Sequence, residues 1–264
     1  MAIDPGTVTF GTARNPAAVL VGRAERGLDR LFGPASNPLR HLGALGFLLF
    51  WVIAVTGGWL YAVFDTSVAG AWQSTADLAT DLLGIGGVVR ALHRYASDAF
   101  VVVMLAHLLR ELAMGRVSGF RRFTWLSGVP LIWLAIASGI VGYWLVWDQT
   151  ALLSATASIE WLDALGFFAE PLARNFQTAA AVNDRLFSLF VFLHIGLPLL
   201  VLAGMWIHIQ RLARPDTRPT RTLTAGTLAT LLVLSIAQPA PIAAQADPLV
   251  MPDAVAFDWF YLAP

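Results

Sequence analysis

An all-α, polytopic membrane fold is what this sequence predicts, on three observations. Hydrophobic residues make up 57% of the 264 and charged residues 13%, too little polarity to clothe a soluble domain of this length. Five apolar runs, at 41–64, 93–114, 125–147, 187–209 and 223–243, have about the length a membrane span needs. A helix rising about 1.5 Å per residue crosses a hydrocarbon core of roughly 30 Å in about 20 residues. Finally, basic and acidic residues separate onto alternate connections, as the two ends of alternating spans require.

The elements follow in order. Residues 1–40 form a cytoplasmic-side amphipathic segment. Within it the stretch from Pro16 to Phe32 sets Arg23, Arg26 and Arg30 among Ala, Val and Leu, which predicts a helix lying on the membrane surface. Asn37-Pro38 marks the turn into the first span. Residues 41–210 hold four spans, A to D, as one bundle. Residues 211–264 hold a fifth span, ended by Pro239 and Pro241, and an outer-side C-terminal segment. The 148–185 connection mixes apolar and polar residues in the manner of short interfacial helices, and a connection of that length points to function.

Charge sets the orientation. The N-terminal segment carries Arg14, Arg23, Arg26, Arg30 and Arg40. The B–C connection carries Arg110, Arg116, Arg121 and Arg122, and the D–E connection Arg211, Arg214, Arg218 and Arg221. These 13 of the 17 arginines fall on one side of five alternating spans, which makes that side, and the N-terminus, cytoplasmic. Asp65, Asp77, Asp148, Asp163 and Asp184 collect opposite, where Trp59, Tyr61, Trp144 and Trp147 predict an outer aromatic belt. The first span reads as an uncleaved anchor, since the N-terminus lacks signal-peptide order. A net charge of zero argues against a nucleic-acid partner. The absence of Cys excludes disulfides, iron–sulfur ligation and thioether-attached haem.

Four of the five histidines are in register. His93 and His107 stand 14 residues apart on span B, and His194 and His208 stand 14 apart on span D. Fourteen residues turn a helix through about 1400°, roughly 40° short of four turns, and advance it about 21 Å. Both members of each pair therefore face one way, near opposite edges of the bilayer core. Spans B and D are parallel, which puts His93 level with His194 and His107 level with His208. Two facing imidazoles at each of two depths make two sandwich sites for a planar cofactor, with haem iron as the fitting metal centre. The plainer alternative is hydrogen-bonded interhelical histidines, but polar groups at these depths are costly. Zinc fits poorly, because ligands sharing a helix would stand four residues apart.

A second register accompanies the first. Gly43 and Gly57 on span A, and Gly128 and Gly142 on span C, are again 14 apart, as expected if a macrocycle edge approaches the backbone at two levels. Generic small-residue packing is the alternative. Arg90 precedes His93 by three residues and Arg110 follows His107 by three. Each lies about one turn toward the nearer surface, where haem propionates would meet a guanidinium; snorkelling to headgroups is the alternative.

The residues Arg90-x-x-His93, His107-x-x-Arg110, the four glycines, the run Gly142-Tyr-Trp-Leu-Val-Trp-Asp-Gln149 and His194-Ile-Gly-Leu-Pro198 form a pattern. Over residues 37–210 the sequence resembles cytochrome b of the quinol–cytochrome c reductases and its plastid relatives. The resemblance implies a four-helix bundle holding two non-covalent haem b groups, with a fifth transmembrane helix beside it. It also implies quinone or quinol as substrate, and the role of electron-transfer subunit in a membrane oxidoreductase complex. In the C-terminal segment, Phe257-Asp-Trp-Phe resembles the family's P-E-W-Y, so that Asp258 stands where a carboxylate takes a proton from quinol; an exposed interfacial Asp is the alternative. Departures are Val146 and Asp148, where the family has Pro and Gly, and Arg185, nine residues before His194 instead of five.

The expected partners are a Rieske protein and a cytochrome c, with a homodimer as one assembly, in a bacterial inner membrane. The alternative is a membrane anchor linking a periplasmic dehydrogenase or multihaem cytochrome c to the quinone pool. A non-redox transporter or scaffold stands as a third reading, without chromophore. His41 is a candidate for an inner quinone site or an ordinary interfacial histidine.

Overall fold

The computed structural model describes residues 15–81, 84–119, 121–166, 184–252, 254–255 and 259, and among them every regular element is helical. The surface helix is α1, Pro16–Phe32. Asn15 caps it by accepting the Ala17 N–H, Pro16 opens it, and Gly33 closes it at φ 75° with its N–H on the Asp29 carbonyl. Leu20, Leu31 and Phe32 stay exposed along it, while Glu25 is buried.

Two tight turns, Pro34–Ser36 and Pro38–Arg40, lead on from α1. Between them Asn37 is fully buried and donates to the Glu25 carbonyl at 2.9 Å and to Asp29 Oδ1 at 2.7 Å. Arg40 grips Asp29 with two nitrogens, at 2.9 and 2.7 Å. Those hydrogen bonds, from Arg40 first and Asn37 second, hold the Asp29 carboxyl at about 2.

The longer helices follow as α2 (Leu42–Val63), α4 (Ile85–Ala113), α5 (Arg121–Trp144), α7 (Asp184–Ile209) and α8 (Arg221–Ala237), with α3 (Ala71–Thr80) and α6 (Gln149–Ala164) between them. Helix α2 packs along α4, α5 packs along α7, and α8 lies against α4. Bare backbone lets the pairs close: a methyl on Gly46 would meet Met104, and one on Gly204 would meet Leu131. Leu49, Phe50, Phe100, Val201, Met205 and Leu231 fill the middle of the bundle.

By length and composition α2, α5 and α7 qualify as membrane spans. Helix α4 is longer, at 29 residues, but carries Arg90, Arg94, Asp98, Arg110 and Glu111. Helix α8 is apolar but has 17 residues, shorter than the 223–243 run, because Pro239 and Pro241 cannot continue it. Helix α4 begins eight residues before the expected run, its first turns disguised by Gly86, Gly87 and Arg90. Helix α3 lies outside the predicted elements: at ten residues, with an apolar side of Ala71, Trp72, Ala76, Leu78 and Ala79 that is mostly alanine, it is too short and too weakly apolar to read as a span.

One expectation is corrected. Trp59 and Tyr61 are exposed as belt residues should be, but Trp144 and Trp147 are buried, at 7% and 5% exposure. They pack with Phe187 and Phe190 in a cluster closed by Leu152 and Ile159 of α6. The connection after α5 folds back over the bundle end and takes these indoles out of the interface.

Candidate metal centres

The structure brings the four histidines together in the predicted pairs. At the outer end, where α2 and α5 finish, the His93 and His194 rings lie 6.1 Å apart between centres, at an interplanar angle of 71°. Two metal–nitrogen bonds of about 2 Å, with about 1 Å from nitrogen to ring centre on either side, also separate ring centres by about 6 Å. The pair therefore fits one metal ion held between two imidazoles. At the inner end His107 and His208 line one cavity of about 380 Å³, together with Gly43, Gly128, Thr124 and Trp125. Thr124 Oγ1 and Trp125 Nε1 are buried there without a hydrogen-bond partner. A cavity walled by two imidazoles and holding unmet polar atoms fits a large planar cofactor with polar edge groups.

Each glycine of the second register meets one histidine. A Cβ on Gly57 would stand 3.0 Å from His93 Cε1, and one on Gly128 would stand 3.1 Å from His208 Cε1. Gly43 faces the His107 ring at 3.7 Å, and a Cβ on Gly142 would run into the His194 ring. What lies against the bare backbone in this structure is thus the imidazole of the partner helix. Helix α2 seats the histidines of α4, and α5 seats those of α7, which explains why both registers share one spacing.

Backbone carbonyls then orient the rings. His93 Nδ1 lies 3.1 Å from the Ile53 carbonyl and His194 Nδ1 lies 2.9 Å from the Ser138 carbonyl. A carbonyl only accepts, so Nδ1 carries the proton in both, and Nε2 keeps its lone pair for a metal. Pro198 adds a return bond. Lacking an N–H, it frees the His194 carbonyl four residues back, and Ser138 Oγ donates to that carbonyl at 3.4 Å.

The two arginines have partners within the chain. Arg110 donates to Glu25 at 2.6 and 3.0 Å and to Glu111 at 2.7 Å, tying α1 to the inner end of α4. Arg90 donates to the carbonyls of Ala240 and Pro241 at 2.8 and 2.7 Å. At the mouth of the inner cavity His41 Nδ1 lies 2.8 Å from Asp216 Oδ2. Asp258 lies outside the described residues.

Arg90 belongs to a fastening that the sequence did not reveal. Residues 238–250 cross the outer end as a strap. Tyr95 holds the Gln238 carbonyl and Trp72 Nε1 holds that of Ala243, at 2.9 and 3.0 Å. Asp148, 6% exposed, spends one oxygen on the Ala151 N–H at the start of α6 and the other on the Ala243 N–H, both at 2.9 Å. Gln149 binds the Asp247 backbone through both ends of its amide and also donates to the Val250 carbonyl. The departure at 148 is therefore a clamp. Asp148→Ala would strand two N–H groups, at a cost of about 1–3 kcal/mol. It is expected to make residues 243–250 cleave first under limited proteolysis; a pattern equal to that of the unsubstituted chain would refute the clamp.

Comparison with known proteins gives a consistent picture. The family model described as Cytochrome b/b6/petB matches residues 31–215. The chain is 28% identical over 176 residues to cytochrome b6 of Porphyra purpurea, a match that takes in 66% of this chain and 81% of that protein. It is 29% identical over 179 residues to cytochrome b6 of Chlamydomonas reinhardtii, with the same coverage of each chain. Among solved structures, a hyperthermophilic respiratory Complex III has a chain of similar fold. The TM-score is 0.69 at 18% identity, over 85% of this chain and 67% of the other.

Proposed function

Since the chain belongs to the cytochrome b/b6 family, we propose that it is the membrane subunit that carries electrons between two non-covalent haem b groups and a quinone pool. His93 and His194 would hold the outer haem, and His107 and His208 the inner. The observation that carries this reading is the pairing itself: at each end, two histidines from α4 and α7 face each other, and each is seated on a glycine of a neighbouring helix. Bound haem supplies a one-electron carrier with both axial positions filled.

The chain's own residues do the rest. Side-chain ligation and packing must retain both groups, because there is no Cys to tether them. The Ile53 and Ser138 carbonyls fix the tautomer of the outer ligands. Arg90 and Arg110 would serve as propionate partners at the two rims; in the chain itself the Ala240 and Pro241 carbonyls hold the first guanidinium and the Glu25 and Glu111 carboxylates the second. His41, bonded to Asp216, would pass a proton to a quinone at the inner mouth. Asp258 would do so at the outer end. The arginine distribution supports a cytoplasmic N-terminus, and the membrane would be a bacterial inner membrane.

The first assembly is a quinol–cytochrome c reductase-type complex, with a Rieske protein, a cytochrome c and a homodimeric core; similarity to a chain of a respiratory Complex III supports the complex type. The strap clamped by Asp148 supports a second reading, because it changes the outer end where the family has Gly. In that reading the chain anchors a periplasmic dehydrogenase or multihaem cytochrome c to the quinone pool. The subunits that copurify with the chain distinguish the two.

The first test is a reduced-minus-oxidised spectrum of the purified protein with haem quantification. Bis-imidazole ligation predicts an α-band near about 560 nm and two extractable haems per chain. A colourless protein would overturn the reading and favour a transporter or scaffold.

A further inference from the structure

Two hydroxyls stand behind two of the four histidines in the same way. Thr56 Oγ1 lies 3.0 Å from His93 Nδ1, and Ser127 Oγ lies 3.1 Å from His208 Nδ1. Each precedes the seating glycine, Gly57 or Gly128, by one residue. Each also donates its own proton to the carbonyl three residues back: Thr56 to Ile53 and Ser127 to Thr124, both at 3.1 Å. Thr56 has a shorter bond to the Val52 carbonyl, at 2.7 Å. With its proton spent on a carbonyl, a hydroxyl can only accept from the ring nitrogen. So each hydroxyl pulls on a Nδ1–H, and the opposite ring nitrogen becomes a stronger donor to a metal.

The distribution is one hydroxyl per site. At the outer pair it serves His93, from α2; His194 has the Ser138 carbonyl, and the residue before its glycine is Val141. At the inner pair it serves His208, from α5. His107 is seated on Gly43, the second residue of α2, so no α-helical turn precedes that glycine to offer the same carbonyl.

We propose that Thr56 and Ser127 are positioning residues, each setting the ring orientation and donor strength of one axial histidine and so the reduction potential of one haem. The proposal rests on the two-haem reading above. A ligand made more basic stabilises the ferric form, so each hydroxyl lowers the potential of its own site only.

Redox titration of the purified full chain tests this, followed by the two haem bands and the low-field ferric EPR features. Thr56→Val keeps the side-chain shape and removes the hydroxyl acceptor, leaving the Ile53 carbonyl to accept the His93 Nδ1–H. It is expected to retain two haems, to raise the outer potential by up to about 59 mV, equivalent to a tenfold change for a one-electron couple, and to leave the inner unchanged. Thr56→Ser should restore it. Ser127→Ala should raise the inner potential alone. Val141→Thr adds the missing hydroxyl before Gly142 and should lower the outer potential, so the test survives if Thr56→Val does not assemble. Unchanged potentials in Ser127→Ala and Val141→Thr, or equal shifts at both haems, would overturn the proposal while leaving the two-haem reading intact. An unsubstituted chain without haem would overturn both.

Discussion

Replacing His107 by alanine is expected to halve the haem content, from two per chain to one, and to leave the outer haem with its own spectrum and potential. The selectivity follows from the structure. His107 lines the inner cavity with His208, whereas the outer pair meets about four helical turns away along α4 and is held by separate carbonyls. Truncation to Ala removes one of the two proposed axial ligands and leaves His208 to bind alone, so the inner group is expected to dissociate during purification. Haem extraction and the α-band amplitude measure the loss directly. Retention of both haems in the variant would remove His107 from the ligand set. Loss of both would mean that the two sites fold as one unit.

The second large effect is expected from the smallest side chain. Gly142→Ala places a methyl where the His194 ring lies, and that ring has little room to retreat. Its Nδ1 is tied to the Ser138 carbonyl, its own carbonyl takes the Ser138 hydroxyl, and Pro198 follows one turn later. Overpacking of this kind costs about 1–3 kcal/mol, and here the strain falls on a proposed ligand of the outer haem. The variant should lose the outer haem while keeping the inner. Gly58→Ala is the control, because a Cβ there meets nothing within 4 Å; it should keep both haems and gain slightly in helix stability. Equal haem content in Gly142→Ala, Gly58→Ala and the unsubstituted chain would show that the ring is not seated on Gly142.

The bundle was legible in the sequence because its signals are local. Apolar runs locate α2, α5 and α7 to within a few residues, and the amphipathic stretch from Pro16 to Phe32 matches the ends of α1. Where the local signal is weak, the elements are not legible: the apolar side of α3 is short and built mostly of alanine, and α4 opens with glycines and an arginine. Trp144 and Trp147 were misplaced for a different reason. Their positions at a span end fit an aromatic belt, and only the return of α6 over that end buries them.

The paired histidines and glycines were determined by the sequence itself, because helical periodicity is a property of a single strand of chain. Fourteen residues make nearly four turns in any α-helix, so the spacing alone dictates two levels and one facing direction. Which groups meet across helices was decided only by the tertiary structure. It seats each imidazole on one glycine, places Thr56 and Ser127 behind two of the rings, and gives Arg110 to Glu25, 85 residues distant. It likewise turns Asp148, a mere departure from a motif, into the anchor of a strap 95 residues further on. Contacts of this kind depend on the azimuth and approach of packed helices, and no repeat within one segment encodes them.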